Sequence, residues 1–183
     1  MAIETIPPRR FDNQSADYPL TELNFWRNAV PKELKLPIDV SDLEQFLPHR
    51  RPMVWVNQIL QIDSKGGAAL IHLDPKAHYM DREEVRPSSV IEWIAQTYGY
   101  VRACQSLMSG DEPSTTKISH AYLASFKNLL FLEKFDSWIQ AQKSLAVYVQ
   151  TLRDFTPLKT VYGEVKTLAG KKIATGEITV YSD

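Results

Sequence analysis

The sequence predicts an α+β fold in which a long antiparallel sheet wraps one central helix. Three observations predict it. Residues from about Val90 to Met108 are apolar around most of a helical circumference, and a helix apolar nearly all round is buried nearly all round. Period-two alternation precedes that helix from Met53 and dominates the chain after Ile139, as in half-buried strands. The resulting order is two strands, one long helix, then several long strands.

The elements follow in order. Residues 1–45 read as an N-terminal extension. Pro7, Pro8, Pro19, Pro31 and Pro37 punctuate polar sequence there, which breaks both helices and central strands. Tyr18, Leu20, Leu23, Phe25 and Trp26 are its candidate anchors on the body, and a regulatory or partner-binding arm is the other reading of it. The body spans 46–183. A short helix beginning near Ser41 carries Leu43, Phe46 and Leu47. Val54, Val56, Leu60 and Ile62 point inward by alternation, with Trp55, Asn57 and Gln61 opposite. Asp63 to Gly67 reads as a turn, and Ala68 to Leu73 as the returning strand.

The central helix, about 28 Å long at 1.5 Å per residue, contains Gly99. Glycine costs about 1 kcal/mol in a helix interior, so close packing is expected there. Gly110 is a stop signal. Ala121 to Phe131 reads as a strand. Ile139, Ala141, Leu145, Val147 and Val149 alternate with polar residues that include Gln140. Val161 and Val165, then Ala174, Ile178 and Val180, do the same in two strands joined by a tight turn at Ala169-Gly170.

Composition excludes several classes. The net charge is −1, which gives no support for non-specific nucleic-acid or membrane binding. Cys104 is the only cysteine, so no internal disulfide is possible, which suits a reducing cytoplasm. The chain has no apolar signal core and no membrane-length apolar run. His49, His72, His78 and His120 form no close-spaced pair with one another or with Cys104, so a zinc site is not expected. Walker A, G-x-G-x-x-G and G-x-S-x-G patterns are absent. No metal and no organic cofactor are therefore expected.

The chemistry concentrates in His78 to Gln96, reading HYMDREEVRPSSVIEWIAQ. An imidazole and a carboxylate suit proton removal beside a carbonyl and proton delivery to a leaving hydroxyl. Each residue also has a plainer explanation. Ser89-Val-Ile-Glu92 fits a capping box, with Glu92 bound to a backbone N–H. A loop histidine such as His78 is commonly just solvated. Gln96, one turn after Glu92, lies on the same face and is placed to orient either that carboxylate or a substrate hydroxyl.

LPHRRPMVWVNQIL at 47–60, His78, and Glu92-Trp-Ile-Ala-Gln96 together resemble the β-hydroxyacyl-acyl-carrier-protein dehydratases. That family carries an L-P-H-R-x-P opening and a catalytic histidine fourteen residues before the glutamate of E-x-x-A-Q; here 92 − 78 is also 14. The ending from Gly163 to Tyr181 is similar to the family's last hairpin. The resemblance covers about residues 46–181.

It implies a hot-dog fold and a dimer with active sites at the subunit interface. His78 of one subunit would take the α-proton of a 3-hydroxyacyl thioester on acyl carrier protein, and Glu92 of the other would protonate the departing hydroxyl. Backbone N–H groups at the helix start would polarise the thioester carbonyl. The loop departs from the family's glycine- and proline-rich pattern. Pro87 stands where the family has a glycine N–H donor, and proline has none. Ser88 or Ser89 is the alternative donor, unless the loop is realigned or the carbonyl is held otherwise.

The loop looks closer to divergent aryl-polyene and polyketide-type dehydratases, which can act with a related hot-dog partner. Two alternatives stand beside the dehydratase: a weakly active or non-catalytic subunit that completes a partner's site, and an acyl-CoA thioesterase. Arg50, Arg51, Arg82, Arg86 and Lys127 are candidates for meeting an acidic carrier, against the plainer reading of a solvated mixed-charge surface.

Overall fold

The computed structural model describes residues 35–81, 84–110, 121–133 and 142–182. The arm anchors Tyr18, Leu20, Leu23, Phe25 and Trp26 lie outside the described residues, as do Arg82, His120, Ile139, Gln140 and Ala141.

In chain order the elements are β1 (Ile38–Asp39), two short 3-10 turns (Val40–Asp42 and Glu44–Phe46), β2 (Gln58–Ile62) and β3 (Gly66–His72). Then come β4 (Met80–Asp81), β5 (Glu84–Val85) and the helix α1 (Ser89–Met108). Four long strands follow: β6 (Ala121–Phe131), β7 (Ser144–Phe155), β8 (Leu158–Thr167) and β9 (Lys172–Ser182). Among the described residues, seven strands form one sheet in the order β1-β2-β3-β7-β8-β9-β6, and every neighbouring pair is antiparallel. β4 and β5 form a separate hairpin. The sheet takes in Ile38–Asp39, inside the stretch read as extension, and buries Ile38, Val40 and Leu43.

The helix lies against β2, β3, β7, β8 and β9. Its Val90, Trp93, Ile94, Tyr100, Val101 and Cys104 are completely buried. Cys104 is therefore an inert thiol; burial pushes it up to about 12. Two glycines set how closely the layers approach. A Cβ at Gly163 of β8 would lie 2.5 Å from Ile94 Cγ1, and one at Gly99 would lie 2.7 Å from Leu47 Cδ2. The helix ends where Ser109 and Gly110 N–H groups bond back to Gln105 and Leu107 carbonyls, with Gly110 at φ 85°. Among the described residues, no helix is long and apolar enough to cross a membrane.

Two details depart from simple alternation. A bulge between Ile59 and Gln61 adds one residue to β2. It shifts the side-chain phase, so Ile59 and Ile62 are both buried and Leu60, expected inward, is only half-buried. The turn after β2 is also tighter than expected. Asp63 Oδ1 accepts from the N–H groups of Lys65 (2.8 Å) and Gly66 (2.9 Å), which frees both glycines to join β3.

Among the described residues, β6 is an edge strand paired with β9. It exposes Tyr122, Leu123, Phe126, Leu130 and Phe131. A long exposed apolar edge with open backbone groups is a template for another chain.

Candidate active site

Pro87 and Ser88 turn the chain into α1, and Glu92 projects from the helix's first turn. The capping box does not form. Ser88 is the N-cap and its side chain makes no capping bond. Ser89 is already helical, and its hydroxyl points at the Tyr79 carbonyl at 3.5 Å. Glu92 instead turns toward side chains that outcompete the backbone.

Those side chains are His49 and Gln96. His49 Nε2 lies 2.9 Å from Glu92 Oε1, and Gln96 Nε2 donates to the same oxygen at 2.8 Å. Glu92 Oε2 has no hydrogen-bond partner among the described residues. Gln96 is fully buried and fully engaged. Its Nε2 also donates to the Met53 carbonyl (2.7 Å), and its Oε1 accepts from the Trp55 N–H (2.9 Å). One glutamine thus ties α1 to the segment before β2 and holds the carboxylate in one rotamer. Burial pushes the Glu92 carboxyl up. The hydrogen bonds from His49 and Gln96, with the charge of His49, outweigh burial and hold it below the ordinary carboxylate range.

The segment bearing His49 is fixed from behind. Arg50 folds back, and its guanidinium donates to the carbonyls of Glu44 (3.0 Å), Leu47 (2.5 Å) and His49 (2.6 Å). Arg51 pairs with Glu44 at 3.0 Å. Lys127, another of the basic candidates, pairs with Glu177 at 3.3 Å. Arg86 stands 4.0 Å from Asp81.

His78 sits differently. Its side chain is exposed, and no hydrogen bond or ion pair joins it to Glu92 of its own chain among the described residues. Its neighbour Tyr79 is buried and anchors the loop. The Tyr79 ring meets Trp55 and Trp93 edge-on, with centroids 5.2 and 5.6 Å away. Its hydroxyl accepts from the Asp74 N–H at 2.6 Å. Within the stretch that departs from the glycine pattern, Met80–Asp81 pairs antiparallel with Glu84–Val85, and Val85 is buried. At the helix start, Ser89 N–H is committed to the Arg86 carbonyl at 2.9 Å, whereas Ser88 N–H has no partner among the described residues.

Sequence reasoning missed His49, Tyr79 and Trp55 as parts of this site. His49 stands in the L-P-H-R segment, but nothing local links it to a carboxylate 43 residues later (92 − 49). Among the described residues, no group of three or more His, Cys, Asp or Glu side chains is placed to hold a metal ion.

A profile of the ApeP-like family, described as ApeP dehydratase, matches residues 41–183. Among solved structures, the chain is similar to one titled as the dehydratase heterocomplex ApeI:P from Xenorhabdus doucetiae. The identity is 14%, over 82% of this chain and 93% of that chain, with a TM-score of 0.64. It is also similar to AziG of S. sahachiroi at 12% identity, over 68% of this chain and 89% of that chain, with a TM-score of 0.49. No curated protein matches the chain in sequence. The fold is the hot-dog fold, one large antiparallel sheet packed against the helix α1.

Proposed function

The chain belongs to the ApeP-like dehydratase family, and from that premise we propose that it removes water from 3-hydroxyacyl thioesters carried on acyl carrier protein. The product is the trans-2-enoyl thioester. Glu92 delivers the proton to the departing hydroxyl, and His78 of a paired hot-dog subunit removes the α-proton. The observation that carries this reading is the Glu92 carboxylate in the first turn of the buried helix, anchored through one oxygen and without a partner among the described residues at the other. The exposed position of His78 supports a role toward a second subunit, and the apolar β6 edge supports subunit pairing.

Ser88 N–H suits the thioester carbonyl better than Ser89 N–H, which is already bonded. A hydrogen-bond donor aimed at a developing oxyanion is a large catalytic term. Gln96 orients the acid. The protein titled as a heterocomplex pairs two chains, ApeI and ApeP; by analogy this chain pairs with a copy of itself or with a related hot-dog subunit.

The test is hydration of an enoyl thioester, assayed with the chain alone and with such a partner. His78→Ala and Glu92→Gln should each lower turnover by about 10²- to 10⁴-fold, the usual worth of a general acid or base. Unchanged turnover in either variant of a folded assembly overturns the residue assignment. Pro87, which lacks the expected N–H donor, favours a second reading, a subunit that completes a partner's site. Activity of the purified chain by itself excludes that reading.

A further inference from the structure

We propose that His49 is a positioning residue that fixes which oxygen of Glu92 meets the substrate. This rests on the dehydratase reading above. Two donors, His49 Nε2 and Gln96 Nε2, converge on Oε1 at 2.9 and 2.8 Å. An oxygen that already accepts two hydrogen bonds is a poor site for a proton. When Glu92 is protonated, its proton therefore sits on Oε2, which has no partner among the described residues and can serve a leaving hydroxyl. As His78 of the paired subunit takes the α-proton, the Cα–H electron pair forms the C=C bond and the C–O bond to the hydroxyl breaks. The O–H bond at Oε2 breaks as its proton joins that hydroxyl to leave as water, and the new negative charge is stabilised at Oε1 by both donors.

The imidazole is built for this task. Its Nδ1 is buried and has no hydrogen-bond partner among the described residues. Nε2–H faces the carboxylate in the charged ring, and also in the uncharged ring, where a hydrogen on Nδ1 would lack an acceptor among the described residues. His49 is 29% and Glu92 32% exposed at the side chain, so the pair reaches solvent only in part. His49 is the titratable group facing Glu92 among the described residues. The neighbouring charges are engaged elsewhere: Arg50 binds backbone carbonyls, and Arg51 pairs with Glu44. Gln96, the other donor, is uncharged, so the electrostatic part of the coupling runs through His49.

Two variants separate positioning from mere structure. His49→Leu removes the donor, and His49→Gln keeps an N–H of similar reach. In the active assembly, His49→Leu should lower kcat about 10- to 100-fold, the worth of one hydrogen bond to a charged group, with KM changed less than about threefold. His49→Gln should restore most of the kcat. Thermal unfolding and size-exclusion profiles identify a variant that fails to fold or pair.

A second readout does not depend on catalysis. In protein labelled with ¹³C at glutamate carboxyls, with the Glu92 signal assigned by its loss in Glu92→Gln, that carboxyl should titrate at higher pH in His49→Leu than in the unaltered chain. An unshifted titration overturns the pairing itself. A shifted titration with unchanged kcat overturns the catalytic role. Absence of any dehydratase activity in the unaltered assembly, beside a shifted titration, marks failure of the dehydratase reading and not of the pairing.

Discussion

The two histidine-bearing segments flank the same helix start and are built in opposite ways. The 47–55 segment points its imidazole inward, onto Glu92 of its own chain, and is locked by Arg50 and Gln96. The 74–89 loop buries its tyrosine and leaves the imidazole of His78 exposed. In the first segment the side chain is fixed. In the second only the backbone is fixed, through Tyr79 wedged edge-on against Trp55 and Trp93. The contrast teaches that packing within one chain can preset the Glu92 carboxylate, while a loop histidine held out to solvent stays open to the proposed role toward a neighbouring subunit.

The largest expected effect breaks the comparison on the His78 side alone. Phe126→Glu with Leu130→Glu places charges on the β6 edge, far in sequence from both histidines. If pairing along that edge brings His78 to the partner's Glu92, turnover should fall about 10²- to 10⁴-fold, as for loss of a general base. The folded chain would run as a monomer in light scattering, with its Glu92–His49 contact intact. A doubly charged variant that stays paired and active would place the interface elsewhere.

A smaller effect breaks the His49 side. Gln96→Leu keeps the volume but strands the Trp55 N–H and the Met53 carbonyl and removes one donor from Glu92. Destabilisation of about 1–3 kcal/mol is expected, read from urea unfolding midpoints. Stability unchanged within error would show that water replaces those bonds at no cost.

The smallest effect sharpens the comparison through pH. Glu92 is held below the ordinary carboxylate range in the folded chain. A carboxyl lowered on folding adds stability above its unfolded value, about 4.3, and loses it as pH falls through the lower folded value. With a third of the side chain exposed, the contribution is below about 1 kcal/mol. Unfolding of the unaltered chain and of Glu92→Gln between pH 6 and pH 3 should show the unaltered chain losing its small advantage toward the acid end. Parallel curves would mean that the pair adds nothing to folding.

What was legible in the sequence depended on whether its cause was local. The helix was expected over 90–108 and spans Ser89–Met108, because each residue's burial repeats with the helical turn. The strand expected over Ala121 to Phe131 has those bounds, and the turn at Ala169-Gly170 joins β8 to β9. The close packing expected at Gly99 is the contact with Leu47. The Leu60 phase was misread because a bulge depends on the partner strand, not on the bulged one. The capping box failed for a similar reason: a local pattern cannot show that a distant histidine will offer Glu92 a better donor.

By itself, then, the sequence determined the α+β class, the buried helix and most of the strands. Those follow from periodicities of two and 3.6 residues, each read within a few neighbours. Only the tertiary structure decided which imidazole meets Glu92 within the chain, and which of its oxygens and which helix-start N–H have no partner among the described residues. Those depend on Gln96 tying the helix to Met53 and Trp55, contacts across more than 40 residues that form when the core packs and leave no periodic trace.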